Sequence, residues 1–204
     1  MGSDLEQQEK RIADLERELR VQTDRARNAL AKCDALQREN AQLANLYVSS
    51  YRLYQSLVPT DVVDVIQEIV INLVGSEEFA VYELASRDDV LALLGSFGLD
   101  PEAVHTELSA LPAPAREAIE KNQVVTFSAA RDGVLACVPL RRGDRVTGAI
   151  VIYSLLEHKP GLERLDHELF ELLATHAAPA LHCSRLNARE AALSAVGQID
   201  HSVS

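Results

Sequence analysis

A seven-residue repeat runs from Leu5 to Leu57, with neither Pro nor Gly inside it. Apolar or small residues recur at its first and fourth positions (a and d), a spacing typical of helices that pair along a narrow seam. We therefore predict a coiled-coil dimerisation helix over residues 1–57. The predicted interface residues are Ile12, Leu15, Leu19, Cys33, Leu36, Asn40, Leu43, Tyr47 and Tyr54.

Asn40 indicates how two such helices would be oriented. An asparagine at an a position favours an in-register partner, because its side chain can then hydrogen-bond with its own copy. A parallel homodimer is the expected arrangement. Cys33, also at an a position, would then face the partner's copy of itself and could crosslink on oxidation.

Composition limits the classes of partner. The chain has 204 residues, 47% hydrophobic and 25% charged, which is sufficient for one globular domain with an appendage. Its net charge of −11 predicts neither a nucleic-acid nor a membrane partner. Three irregularly spaced cysteines match neither a disulfide framework nor a zinc pattern, and the apolar runs are too short to cross a bilayer. We expect a cytoplasmic protein without a metal or other cofactor.

Downstream of Pro59 the hydrophobic period alternates between that of helices and that of strands. Thr60 is predicted to cap a helix that Gly75 ends, and Asn122 is predicted to stop a later one. Residues 191–204 are expected to fray. The predicted strands are 79–84, 90–97, 123–127, 134–141 and 145–155; the turn Ser86–Asp89 joins the first two, and the later helices span 100–108, 114–121 and 162–189.

Two of these strands carry a recognisable signature. The sequence Leu135-Ala136-Cys137-Val138-Pro139-Leu140 is followed, after a short polar turn, by Val146-Thr147-Gly148-Ala149-Ile150-Val151-Ile152. Together with the order of elements, this pair resembles the GAF domain family. The resemblance implies an α+β fold over residues 58–190. In this fold the antiparallel sheet has the strand order 2-1-5-4-3, the first and last helices cover one face, and the short helices cover a pocket on the other.

The placement of strands and loops in such a fold suggests which side chains would lie near the pocket. The Asn-Lys-Phe-Asp-Glu arrangement of cyclic-nucleotide-binding relatives is absent, and the connection over residues 128–133 is shorter than the usual lid. No catalytic residue is predicted. The candidate pocket residues are Phe97, His105, Phe127, Arg131 and Tyr153.

Cys137 has two interpretations. On a strand whose alternate residues face the core, it is expected to be a small buried hydrophobe. A catalytic thiol is the alternative, since some relatives reduce free methionine sulfoxide with several cysteines. Cys33 and Cys183, however, fall in other elements, and no resolving pair is evident.

Three functions follow from these features. The leading hypothesis is a non-enzymatic, dimeric regulatory or adaptor module of a bacterial-type signalling system, with a coiled coil for dimerisation and docking of other signalling proteins. Its GAF-like domain would then be a degenerate sensor or a protein-interaction domain. The alternatives are a sensor of a cyclic nucleotide or metabolite and a thiol-dependent methionine sulfoxide reductase.

Overall fold

The computed structural model of the protein describes residues 2–85, 90–100 and 104–200. The chain divides into two compact units, residues 1–45 and 46–204. Helix α1 (Gly2–Gln55) supplies the first unit and the opening segment of the second. The globular unit begins before the end of α1, because Leu53 is buried in its core and Leu46 packs against that core.

The globular unit follows the predicted order of elements. After α1 come α2 (Pro59–Glu68) with a π-helical turn (Ile69–Val74), β1 (Ser76–Leu84), β2 (Leu91–Phe97), a 3-10 turn (Leu108–Ala110), α3 (Ala113–Lys121), β3 (Val125–Arg131), β4 (Val134–Arg142), β5 (Arg145–Leu155) and α4 (Arg164–Asp200).

The five strands form one antiparallel sheet in the order β2-β1-β5-β4-β3, which confirms the predicted topology. Because side chains alternate along a strand, neighbouring residues of β1 enter different cores. Phe79 and Val81 join the core beneath α2 and α4, whereas Ala80 and Tyr82 join the core beneath α3. We call these two surfaces of the sheet the α2/α4 face and the α3 face.

The α2/α4 face holds the larger core, to which α2 contributes four buried residues and α4 a longer row. Each fully buried aliphatic or aromatic side chain there contributes about 1.5–3 kcal/mol to folding. The helix ends agree in part with the predictions. Gly75 ends the π-helical turn and Asn122 ends α3, both in the left-handed conformation. The prediction for Thr60 was wrong, because Pro59 occupies the first turn of α2 and Val58 is its N-cap.

Three segments differ from the predictions. Residues 128–131, expected in a loop, extend β3, and Asp132-Gly133 forms a two-residue hairpin turn with positive φ at both positions. Glu107, expected in a helix, instead forms a β-bridge with Val90. Helix α4 continues past its predicted end to Asp200. The predicted turn Ser86–Asp89, the start of the predicted helix at Pro101 and the last residues, 201–204, lie outside the described residues.

Within the part of the chain that the structure describes, every helix is too short or too polar to cross a membrane.

Candidate functional site

A cavity of about 500 Å³ opens on the α3 face. It lies at the end of the sheet where β1 begins and β2 and β5 finish, beside the turn between β3 and β4. Its volume falls within the roughly 300–1,000 Å³ typical of small-molecule sites. The lining residues are Glu78, Gly98, Leu99, Asp100, His105, Gly133 and Tyr153.

Two tyrosines determine the polarity of this region. The backbone N–H of His105 donates to the Tyr82 hydroxyl at 3.3 Å. The Tyr153 hydroxyl is buried and has no hydrogen-bond partner among the described residues. Burial, reinforced by the nearby Tyr82 hydroxyl, raises the pKa of Tyr153. Tyr153 therefore remains a neutral phenol, buried beside the Tyr82 hydroxyl. Burying a polar group without a hydrogen bond costs about 1–3 kcal/mol.

Carboxylates make up the rest of the polar lining. Glu78 is held by the Ser154 hydroxyl, which donates to its Oε2 at 3.1 Å. Asp100 is exposed and follows the end of β2. With His105 and Tyr153, these groups can accept hydrogen bonds from a ligand and attract a cationic one. The cavity is therefore suited to a polar molecule rich in donors.

The structure brings two of the five candidate pocket residues together. His105 and Tyr153 line the same cavity. Phe97 lies on the opposite face, where its ring stacks on Phe79 with centroids 6.2 Å apart. Phe127 and Arg131 lie on edge strand β3, outside the cavity lining, with the guanidinium 5.8 Å from the ring centroid.

Several residues that line the cavity were not predicted from the sequence. Glu78 was not considered, because the predicted strand started one residue later, at Phe79. Asp100 was predicted to begin a helix, and Leu99 lay outside the predicted elements. The available signal was the charged pair Glu77-Glu78 before an apolar strand, which marks residues near the sheet edge.

The interpretation of Cys137 as a core residue is confirmed. It is fully buried on the α3 face, and its Sγ donates to the Ala115 carbonyl at 3.7 Å. Burial raises the pKa of this thiol to about 12, so at neutral pH it stays protonated. Cys33 and Cys183 are exposed free thiols.

The predicted interface residues of α1 lie on the surface of the chain. In the first unit, Cys33 and Asn40 are exposed, and the aliphatic members are more than half exposed, with Leu19 at 68%. In the second unit, Tyr47 is 73% exposed, whereas the Tyr54 hydroxyl lies 3.0 Å from Nδ1 of His176 on α4. Tyr54 therefore also contacts its own globular unit. The exposed aliphatic members are Ile12, Leu15, Leu19, Leu36 and Leu43.

Solved structures with this fold come from several kinds of protein. The GAF domain of an Acinetobacter phosphoenolpyruvate-protein phosphotransferase is 18% identical (TM-score 0.57), covering 72% of this chain and 96% of that one. A methyl-accepting chemotaxis protein, residues 122 to 287, is 16% identical (TM-score 0.54; 68% and 97% covered). A free methionine-R-sulfoxide reductase from Neisseria meningitidis, solved with its substrate, is 17% identical (TM-score 0.50; 72% and 89% covered).

At these identities the likeness concerns the fold alone. A comparison with curated proteins found no match. The family model described as the GAF domain matches residues 58–183, more than half of the chain. This chain belongs to the GAF domain family.

Proposed function

We propose that the protein is a non-enzymatic, cytoplasmic, dimeric regulatory or adaptor module of a signalling system. In this proposal α1 forms a parallel coiled coil with a second copy and offers docking surface to other signalling proteins. The GAF domain serves as a degenerate sensor or as a second docking surface. The observation that carries the proposal is the exposed aliphatic stripe of α1.

Leaving the aliphatic stripe of α1 exposed to water is energetically unfavourable. Ile12, Leu15, Leu19, Leu36 and Leu43 recur at a and d positions, and all five are more than half exposed. Transferring apolar surface out of water gains about 25 cal/mol per Å², so pairing two such stripes is favourable. Isolated helices in water also rarely persist on intrinsic propensity alone. Pairing with a second copy of the chain would remove the stripe from water and would stabilise the helix.

The origin of the similar folds also supports a signalling role. The methyl-accepting chemotaxis protein among them is a signalling protein by its name.

The first prediction tests the dimer by light scattering coupled to size-exclusion chromatography. The molar mass that light scattering gives for the unmodified protein should be twice the chain mass of 22.4 kDa. Leu36→Asp with Leu43→Asp places charges in the seam and should yield a monomer, since a buried unpaired carboxylate is strongly unfavourable. The control is Ala31→Asp with Asn45→Asp, at exposed positions outside a and d, which adds the same charge and should stay dimeric. A monomeric unmodified protein at micromolar concentration would refute the proposal.

Cys33 reports the orientation in the same experiment. A disulfide requires Cα atoms within about 7 Å, which a parallel in-register pair provides at an a position and an antiparallel pair does not. In a Cys183→Ser background, mild oxidation should yield a covalent dimer that Cys33→Ser abolishes. Failure to crosslink a protein shown to be dimeric would contradict the parallel arrangement.

A second candidate function, sensing of a small molecule, is favoured by the cavity around His105 and Tyr153. The buried Tyr153 hydroxyl lacks a partner among the described residues, and a ligand that supplied one would recover part of its desolvation cost. A functional pocket needs such convergent polar groups within a cavity of adequate size. The cavity of about 500 Å³ meets this requirement.

The second prediction follows from binding linkage. In a thermal-shift screen of cyclic nucleotides and metabolites, a true ligand at 100 times its Kd should stabilise the fold by about 2.7 kcal/mol. That corresponds to a rise of roughly 5–10 °C in Tm for a domain of this size. Tyr153→Phe should reduce the shift without lowering the Tm of the free protein, because it removes an unpaired polar group. Tyr47→Phe, far more exposed, is the matched control. If the ligand raised the Tm of Tyr153→Phe as much as that of the unmodified protein, the ligand would bind outside this cavity.

The third candidate function, a thiol-dependent reductase, has less support. It requires an accessible Cys137 with a lowered pKa, and both conditions are unmet at this residue. We therefore retain the non-enzymatic proposal.

A further inference from the structure

A second, smaller pocket lies on the α2/α4 face, at the end of the sheet opposite the cavity described above. Its volume is about 150 Å³. The turn between β4 and β5 forms one wall, and α4 forms the other. The polar side chains that line it are Glu83, Arg142, Arg145, Thr147, His182 and Arg185.

The charges around this pocket are unbalanced. Arg185 pairs with Glu83 through two hydrogen bonds, one of them from Nη2 to Oε2 at 2.8 Å. Arg142 and Arg145 form no ion pair with any carboxylate among the described residues. Among the residues that line the pocket, three arginines and one glutamate thus leave two positive charges; Asp144, in the turn between Arg142 and Arg145, is not part of the lining. This concentration occurs in a chain whose net charge is −11.

The two unpaired arginines are also placed unfavourably with respect to each other. Arg142 and Arg145 are direct partners in the register of β4 and β5, on either side of a two-residue turn. Like charges opposite one another on neighbouring strands repel and destabilise the pair. An anion bound between the two arginines would attract both of them and would stabilise the strand pair.

His182 adds a hydrogen-bond donor to the pocket. Nη1 of Arg142 lies 2.8 Å from Nδ1 of His182. A guanidinium only donates, so Nδ1 must accept, and the ring proton then resides on Nε2. This leaves one neutral donor, the Nε2–H of His182, beside the two arginines, because the Thr147 hydroxyl donates to the Leu140 carbonyl at 3.5 Å. Such a donor set, without a free carboxylate, is typical of sites for oxyanions.

The volume limits the size of the ligand. Sites for drug-sized molecules begin near 300 Å³, about twice the volume of this pocket. We propose that the pocket binds a small phosphate-type dianion, as free inorganic phosphate or as the phosphoryl group of a small phosphomonoester. This site is separate from the cavity of the sensor hypothesis and does not depend on it.

The test is a titration of the full chain with inorganic phosphate, and separately with glycerol 3-phosphate, by isothermal calorimetry. The titrations are run at pH 7.5 and constant ionic strength, where a phosphoryl group carries close to two negative charges. We expect saturable binding that weakens about ten-fold for each of Arg142→Gln and Arg145→Gln. The control, Arg164→Gln with Arg189→Gln, removes two exposed charges from α4 outside the pocket and should bind as the unmodified chain does.

The imidazole NMR signals of His182, assigned with His182→Gln, localise the ligand independently of affinity. They should shift on addition of phosphate. Saturable binding of inorganic phosphate alone supports a site for the free ion, and tighter binding of glycerol 3-phosphate supports a phosphomonoester site. Absence of saturable binding by both ligands would overturn the proposal. Binding that is equally strong in the folded Arg142→Gln, Arg145→Gln double variant would also overturn it.

Discussion

Asp166→Ala should lower the free energy of unfolding of the globular unit by about 3–5 kcal/mol, because it leaves a buried lysine without its counter-charge. The Asp166 side chain is 2% exposed, and its Oδ1 lies 2.8 Å from Nζ of Lys159, which is itself 15% exposed. Lys159 also donates to the Val74 carbonyl, at the end of the π-helical turn. This ion pair joins the connection after β5 to the start of α4 and to the helix that precedes β1.

The same carboxylate also caps α4. Its Oδ2 accepts the backbone N–H of Glu163 at 2.6 Å, the reciprocal half of a capping box. Loss of such a cap adds about 1 kcal/mol to the cost of the substitution. Asp166→Asn keeps an oxygen acceptor but removes the charge. Its free energy of unfolding should therefore lie between those of the unmodified protein and of Asp166→Ala.

Urea denaturation followed by tyrosine fluorescence measures these effects. The matched control is Glu168→Ala, which breaks the exposed ion pair of Arg164 and Glu168 and should cost at most about 1 kcal/mol. If Asp166→Ala were no more destabilising than Glu168→Ala, the buried pair would contribute no more than a surface pair, contrary to our expectation.

Gly148→Ala should destabilise the globular unit by about 1–3 kcal/mol, with a value near the upper end. Gly148 lies on β5, between β1 and β4. A Cβ added there would lie 2.5 Å from the Tyr82 carbonyl oxygen and 3.4 Å from Cδ1 of Leu140. The first contact is with backbone of a paired strand, so relief requires moving β1 against its own hydrogen bonds.

Gly161→Ala is the control for this substitution. Nothing lies within 4 Å of the Cβ that would be added there. Alanine at an unstrained glycine position leaves stability unchanged or raises it by about 0.4–1 kcal/mol, since the unfolded chain loses freedom. Thermal denaturation of both variants measures the difference. Equal Tm values for the two would show that β5 tolerates a side chain at position 148.

Much of the fold could be predicted because its signals are local. The Pro-Leu strand, the short polar turn and the glycine-containing strand led to the family and to the strand order. The hairpin at Asp132-Gly133 carried an equally local signal, since this dipeptide is typical of two-residue turns between paired strands. The prediction of a loop over residues 128–131 did not take this turn signal into account.

The candidate site was less predictable, because strand partners decide which face a residue occupies. Phe97 was expected near the pocket, yet its cross-strand partner is Phe79, whose side chain lies in the α2/α4 core. His105 and Tyr153, from distant parts of the sequence, meet through the folding of the chain around β1. The predicted helix around Glu107 was wrong because the bridge to Val90 satisfies that backbone instead.

The long helix with its heptad stripe and the core location of Cys137 could be predicted from the sequence, because both depend on periodicity and on neighbours along the chain. The antiparallel α+β fold followed from the resemblance of two strands and of the element order to a known family. The folded structure was needed to place Glu78 and Asp100 with His105 and Tyr153 around one cavity. It was also needed to place Arg142, Arg145 and His182 around the other. The reason is that strand register and helix packing set these distances, and both result from the free energy of the whole fold.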